Sequence, residues 1–247
     1  MERHFSPAII MQIIEFGESD LLVTSFTSDK GQLKGIAKAA RKSRKRFANC
    51  LDLFCLVNLE YEPRRHGDLY FLHSCTLINA FPQIRSDFYS LALASYMIEL
   101  TRILFPPGVV NKEIFELLKS LLSKINKGRQ NDLLRICFEA RAMALGGYKI
   151  NLERCCNCGR PYTGKGKGIF IRSKGGIACL NCERETTLSP ALEPNAIRLL
   201  EVLQTSPLIT SEGLSLIEGL TREIKPVLKY HIEYRIGQRL KSAEYLE

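Results

Sequence analysis

Two Cys-x-x-Cys pairs constrain this chain more than any other feature: Cys155 with Cys158, and Cys179 with Cys182. Two thiolates separated by two residues can both reach one tetrahedral ion at about 2.3 Å, and a second such pair completes its shell. Gly159 after the first pair and Gly175-Gly176 before the second supply the tight turns that such knuckles need. The intervening residues 168–178 read as a β-hairpin. The spacing predicts one structural Zn2+ per chain, held by Cys155, Cys158, Cys179 and Cys182 with no position left for a water. Disulfides or unrelated buried thiols are the competing reading. Cys156 also competes with Cys155, but only one residue separates it from Cys158, which strains the knuckle, so Cys155 is the expected ligand.

The chain has nine cysteines, and Cys50, Cys55, Cys75 and Cys137 lie in apolar sequence. An odd count in such surroundings does not suggest an extracellular disulfide framework. These four are expected as separate small buried hydrophobes in a reducing compartment. No apolar run approaches the roughly 20 residues needed to span a bilayer. The first residues carry Glu2 and Glu15 and no small-residue cleavage site, so they do not read as a signal peptide. The expectation is a cytoplasmic protein with no membrane partner. Its 247 residues, 45% hydrophobic and 25% charged, suit one large folded domain or two to three small ones.

Hydrophobic periodicity divides the chain into four segments. Residues 1–80 read as five strands, at 8–16, 21–27, 31–39, 53–62 and 69–80, with turn sequences between them. This pattern predicts a small sandwich or barrel. From Phe81 the period changes from 2 to 3.6, and helices are expected over 86–105, 111–126 and 131–145, making 81–151 a helical domain. The cysteine element occupies 152–187. Helices resume from Pro194 over 188–247 and pack on the helical domain, the last spanning about 225–241 with Pro226 in its first turn. The fold class is α+β with several domains.

The formal charge is +9, and eight cations fall within seventeen residues: Lys30, Lys34, Lys38, Arg41, Lys42, Arg44, Lys45 and Arg46, with no carboxylate before Asp52. On a strand, Lys34, Ile36 and Lys38 share one face while Leu33, Gly35, Ala37 and Ala39 turn inward. A cationic outer face leading into a cationic loop suits phosphates, whose neutralisation releases counterions and gives affinity without sequence preference. Phe47, Tyr61 and Tyr70 are candidate rings for base stacking, and Arg64 and Arg65 add charge in a later loop. The bland alternative is a solvated run that keeps a hairpin soluble. Eight cations lacking counter-charge favour nucleic acid over it, and no amphipathic helix carries the run to a membrane.

Catalytic chemistry finds little support. His4, His66, His73 and His231 are scattered, and His73 reads as a satisfied core histidine. There is no phosphate loop, GxGxxG or HExxH motif. Glu60 with Glu62, or Asp87 with Glu99, do not form a two-metal nuclease cluster. The chain is therefore expected not to be an enzyme. A zinc-containing, sequence-specific DNA-binding regulator is the alternative, and it would need a recognition helix.

The order of several stretches resembles the bacterial RecO family of recombination mediators. They run from Phe16-Gly17-Glu18-Ser19-Asp20 and Ile36-Ala37-Lys38-Ala39-Ala40-Arg41, through the basic loop ending at Phe47 and Phe81-Pro82, to the two cysteine pairs. Tyr230-His231-Ile232-Glu233-Tyr234 with Arg239-Leu240-Lys241-Ser242 matches the family's last helix, while Ser28-Asp29 and Cys156 depart from its usual pattern. The resemblance implies an N-terminal five-stranded OB-fold barrel, a helical C-terminal part and, in one branch, a structural zinc element. It also implies binding of single- and double-stranded DNA, strand annealing and assistance to RecA loading. The implied partners are RecR, in some species RecF, and the C-terminal tail of single-stranded DNA-binding protein, with association with the nucleoid during repair. Carried onto this sequence, the DNA-binding positions are Lys34, Lys38, Arg41, Lys42, Arg44, Lys45 and Arg46, with Phe47, Arg64 and Arg65 beside them. Lys225, Lys229, Arg235 and Arg239 form a further set.

Overall fold

The computed structural model describes residues 3–64, 67–128, 131–206 and 218–246. Arg65 and His66 lie outside the described residues. Two compact units divide the chain, Met1–Arg129 and Gln130–Glu247.

Five strands of the first unit, β1 (His4–Phe16), β2 (Asp20–Thr27), β3 (Gly31–Ala37), β4 (Leu56–Pro63) and β5 (Tyr70–Asn79), close into a barrel in the order β1-β2-β3-β5-β4. Only β3 with β5 is a parallel pair, and β4 returns antiparallel to β1. This is the five-stranded OB topology that the family resemblance implies. Alternation places Ala8, Ile10, Val23, Leu33, Ala37, Val57, Leu59, Tyr61 and Leu72 in one core. A bulge at Met11, between the pairs Ile10–Ser25 and Gln12–Thr24, bends β1 around the barrel.

Several inward-facing positions differ from the expected pattern. Cys50 and Cys75 are bonded to each other, which corrects the expectation of separate thiols; their Cα atoms lie 6.3 Å apart, within disulfide reach. Cys55 and Cys137 are buried and take part in no disulfide. His73 is not a core histidine. Glu60 pairs with Ser74 and Tyr61 with Leu72, so His73 is the extra residue of a second bulge, and its Nε2 lies 3.2 Å from Glu62 Oε2. Strict alternation along β5 fails there because one inserted residue reverses the facing of those beyond it. The buried histidine is His231, 1% exposed, with Nε2 2.7 Å from the Tyr148 carbonyl oxygen.

Tyr61 is wholly buried, and its hydroxyl donates to Asp29 Oδ2 at 2.7 Å. Burial pushes this phenol up, and the neighbouring carboxylate adds to the shift. Partial burial works against the Asp29 charge, but hydrogen bonds from Ser6, Tyr61 and Thr27 hold the carboxyl below its usual range. Tyr61→Phe is expected to lower stability at pH 7 by about 1.5 kcal/mol, at the low end for a charged hydrogen bond because Asp29 is partly solvated. A carboxylate with a depressed pKa adds stability that is complete above its unfolded value and lost as pH falls through the folded one. The difference from the native chain in urea unfolding should therefore shrink below about pH 4.

Two helices complete the first unit: α1 (Phe88–Leu104) and α2 (Lys112–Asn126). Asp87 caps α1 by accepting from the Ser90 N–H at 2.7 Å, and Asn111 caps α2 by accepting from the Ile114 N–H at 3.1 Å. Pro106-Pro107-Gly108 separates them. Residues after α1 lie on the barrel: the Phe105 ring meets Phe26 edge-on at 6.3 Å, and a Cβ on Gly31 would stand 2.1 Å from the Val109 carbonyl oxygen. With φ at +66° as well, Gly31 admits no other residue without movement of this segment.

The second unit joins α3 (Asn131–Leu145), a sheet β6 (Gly168–Ile171), β7 (Gly176–Cys179), β8 (Ala191–Leu192), and helices α4 (Pro194–Thr205) and α5 (Glu218–Ile236). The contact boundary at 129/130 thus falls inside the segment 81–151 that shares helical periodicity, leaving α1 and α2 with the barrel and α3 with the cysteine element. Ile136 and Ala140 of α3, Phe170 and Ile177 of the sheet, Ile197 and Leu200 of α4, and Val227 and Leu228 of α5 share one core. The last helix begins and ends earlier than its pattern predicts. Pro226 lies in its interior, where it removes one backbone bond. Ile224, Val227 and Leu228, all fully buried beside it, hold the helix through this defect. Gly237, at φ +70°, ends α5 before residue 241.

Candidate nucleic-acid interface and metal centre

The register of β1, β2 and β3 decides which side chains form the barrel's outer wall. Ile14 pairs with Leu22 and Leu22 with Ile36; Gln12 pairs with Thr24 and Thr24 with Lys34. These rows, with Phe16, face outward. Ile36 in turn pairs with Phe71 on β5, so Phe71 shares this wall, and the Arg64 guanidinium lies 5.1 Å over its ring. The wall is only partly open. Its Ile9–Phe26 end is buried where Phe105 covers it, and Ile36 is only 5% exposed, whereas Lys34 and Lys38 are exposed.

Beyond β3 the chain turns sharply at Ala39, whose φ is +51°. Asp20 stabilises that turn by accepting the Ala39 N–H at 2.8 Å, while its other oxygen holds Lys38 Nζ at 2.6 Å. The Ala39 N–H, then Lys38, hold the Asp20 carboxyl below the usual carboxylate range. A 3-10 turn over Ala40–Lys42 follows, and Arg41 bonds to the β1–β2 turn through Ser19 O at 3.0 Å and to Glu15 at 3.1 Å. Arg46 donates to the Lys38 carbonyl oxygen at 2.6 Å. Lys34, Lys42, Arg44 and Lys45 are exposed and have no acidic partner among the described residues. The eight cations are therefore not equivalent: Lys38 and Arg41 are compensated, and the other four named are not.

The aromatic candidates are corrected by burial. Phe47 is 5% exposed and belongs to the barrel core, beneath the Arg46 guanidinium. The cause is local: the Cys75 N–H donates to Arg46 O at 2.9 Å and Cys50 is bonded to Cys75, so residues 46–50 are drawn onto β5 with Phe47 between them. Tyr61 is buried and Tyr70 half-buried against it. None of these offers a free ring face, although Phe16 does, 52% exposed at the end of β1. Its position after the alternating Gln12 and Ile14 was a usable signal for an outward ring. In the second unit Lys225 is bound to Asp132 at 2.7 Å, and Arg235 lies over the Tyr234 ring.

The four cysteines expected from the spacing do come together. The Sγ atoms of Cys155, Cys158, Cys179 and Cys182 all lie within 4.8 Å of one another, with Cys158 and Cys179 at 3.9 Å. The first knuckle is closed by Cys155 N–H to Arg160 O at 2.8 Å, with Gly159 at φ +75°. In the second, the Cys182 N–H donates to Cys179 O at 2.9 Å. The knuckles meet because the segment before the first runs beside β7: Ile177 N–H donates to Asn151 O at 3.1 Å and Cys156 N–H to Ile177 O at 2.8 Å. Cys156 stays outside the cluster, its N–H bonded to Ile177 O at 2.8 Å.

Residues 1–81 match the family described as Recombination protein O N terminal, and residues 85–244 match Recombination protein O C terminal. This chain belongs to the RecO family. Among its relatives are proteins named DNA repair protein RecO. That of Syntrophus aciditrophicus (strain SB) is 34% identical over 99% of this chain and 95% of its own length. That of Anaeromyxobacter dehalogenans (strain 2CP-1 / ATCC BAA-258) is 30% identical over 100% and 97%. That of Desulfatibacillum aliphaticivorans is 32% identical over 97% and 95%. Membership of this DNA repair family does not favour the alternative of a sequence-specific regulator.

In this RecO chain the donor set fits a zinc ion. A tetrahedral shell with 2.3 Å bonds sets sulfurs about 3.8 Å apart, close to the Cys158–Cys179 distance. Burial opposes ionisation of Cys155, but the N–H groups of Cys158, Cys179 and Asn157 point at its sulfur at 3.3–3.5 Å and bring the thiol down to about 6. Its thiolate is thus pre-formed near neutral pH. Exposed Cys182 donates its S–H to the Cys179 and Cys158 sulfurs, which holds the proton on it and pushes its thiol up to about 12, so metal must displace that proton. Four thiolates fill the shell, so the ion would supply cross-linking and no Lewis-acid position. Carboxylates that a nuclease would need have other duties: Glu60 binds Arg3 and Ser74, Glu62 faces His73, and Asp87 caps α1. No described helix is long and apolar enough to cross a membrane.

Proposed function

We propose that this RecO-family chain is a non-catalytic recombination mediator that binds single- and double-stranded DNA without sequence preference and anneals complementary strands. The observation that carries this reading is the group of uncompensated cations, Lys34, Lys42, Arg44 and Lys45, on and beside the OB barrel. Arg64 on the same wall extends the surface. Two complementary strands repel through their phosphates. A cationic surface lowers that repulsion by releasing counterions while leaving the base edges free to pair. No bond is made or broken, so no catalytic residue is required. One structural Zn2+ at Cys155, Cys158, Cys179 and Cys182 braces the second unit.

Family membership further supports action with RecR in loading RecA, with RecF in some species, and on strands coated by single-stranded DNA-binding protein through its tail. The proposed setting is the bacterial cytoplasm, at the nucleoid during repair. The test is annealing of complementary oligonucleotides precoated with single-stranded DNA-binding protein. Adding the chain should accelerate annealing for unrelated sequences alike. Annealing at the uncatalysed rate, or confined to one duplex sequence, would overturn the reading.

A further inference from the structure

One aromatic ring stands uncovered where the barrel's cations gather. Phe16 is 52% exposed and Ile14, two residues earlier on the same face, 45%. Phe16 pairs across the strand with Asp20, which holds Lys38, and the adjacent Glu15 holds Arg41. Lys34 lies four residues before Lys38 along the same edge of the wall, about 13 Å away at strand spacing. A single exposed ring would need no explanation. Its position singles this one out: Phe5, 65% exposed, lies at the other end of β1 opposite Glu60, Phe26 on the same wall is covered by Phe105, Phe71 is covered by Arg64, and Phe47 is in the core. The Asp20 carboxylate, paired with Phe16 across the strands, holds Lys38, and Glu15, the residue before Phe16, holds Arg41, so both nearby cations are engaged by carboxylates.

We infer that Phe16 is a stacking subsite for one unpaired nucleobase, with Ile14 as its apolar flank and Lys34 and the 42–45 cations contacting adjoining phosphates. Stacking on a ring is tolerant of sequence because every base has a π-face, and the cations track the backbone. The inference rests on the DNA-binding reading above and deepens it, because a base inside a duplex has both faces already stacked. The subsite therefore gives the barrel a preference for single strands that charge alone does not.

The chain contains no tryptophan, so Phe16→Trp introduces a sole indole reporter at this position. Titration with an oligothymidylate should quench its emission, at an affinity within about twofold of the native chain. Phe16→Ala should weaken single-strand binding about tenfold. It should leave duplex affinity and the salt slope unchanged, since no phosphate contact is lost. Unchanged indole emission at saturating oligonucleotide, or native single-strand affinity in Phe16→Ala, would overturn the subsite. Charge reversal at Lys34, Lys42, Arg44 and Lys45, measured alongside, separates the two claims. Loss of binding there with native behaviour of Phe16→Ala rejects the stacking ring alone. Native binding by the charge variant rejects the DNA interface itself.

Discussion

Replacing Cys155 with serine is expected to lower the melting temperature of the second unit by more than about 10 °C and to abolish zinc retention. Its sheet has strands of four, four and two residues, too short to stand alone. Those strands bury Ile169, Phe170, Ile177 and Ala178, so their loss opens the core shared with α3, α4 and α5. Structural zinc contributes on the order of 10 kcal/mol to isolated zinc-finger peptides. Here the helices retain part of the core, so a loss above about 3 kcal/mol is expected, at roughly 4 °C or more per kcal/mol. Chelation should reproduce the effect, and the barrel should keep its own transition. Cys156→Ser is the control, since Cys156 lies outside the cluster, and its change should stay within about 0.5 kcal/mol. Calorimetry with zinc quantified by mass spectrometry decides the matter: an unchanged melt after complete zinc loss would refute a structural ion.

Reversing the charge of Lys34, Lys42, Arg44 and Lys45 together should reduce single-strand affinity by about 100- to 1,000-fold at 0.1 M salt. Each phosphate contact contributes about 0.7 to the salt slope for single strands, so losing four should make it shallower by roughly 2.8. The choice of residues comes from the ion pairs. Lys38 and Arg41 are anchored to Asp20 and Glu15, and changing them would also disturb the turns at Ala39 and Ser19. Among the described residues the four chosen side chains form no hydrogen bond or ion pair, so the variant should melt like the native chain. Fluorescence anisotropy across a salt series provides both numbers, and an unaltered slope would place the phosphates elsewhere.

Local chemistry was readable wherever one short segment determined the outcome. The two Cys-x-x-Cys knuckles, their flanking glycines and the hairpin between them were legible because the ligand spacing and the turn residues lie within 28 residues. The five strands and the helices α1 and α2 were equally legible, since alternation, helical periodicity and the Pro106-Pro107-Gly108 stop act within a turn or two. Basic clustering around Lys34–Arg46 was visible in composition alone.

Closure of the chain on itself decided the rest. Single residues inserted at Met11 and His73 shift the pleat, and no local pattern announces which residue bulges. The bond between Cys50 and Cys75 and the contact of Arg46 with Cys75 draw Phe47 into the core, although the three residues before it are all cationic. Phe105 covers one end of the outer wall, and Pro226 survives inside α5 because long-range packing outweighs one missing hydrogen bond. Which cations remain free likewise depends on carboxylates brought in from β1 and β2. The sequence by itself therefore determined the element types, the four-cysteine cluster and the sign of the surface. Tertiary structure alone decided which rings and charges face water, because burial and ion pairing are properties of segments that meet only after the barrel closes.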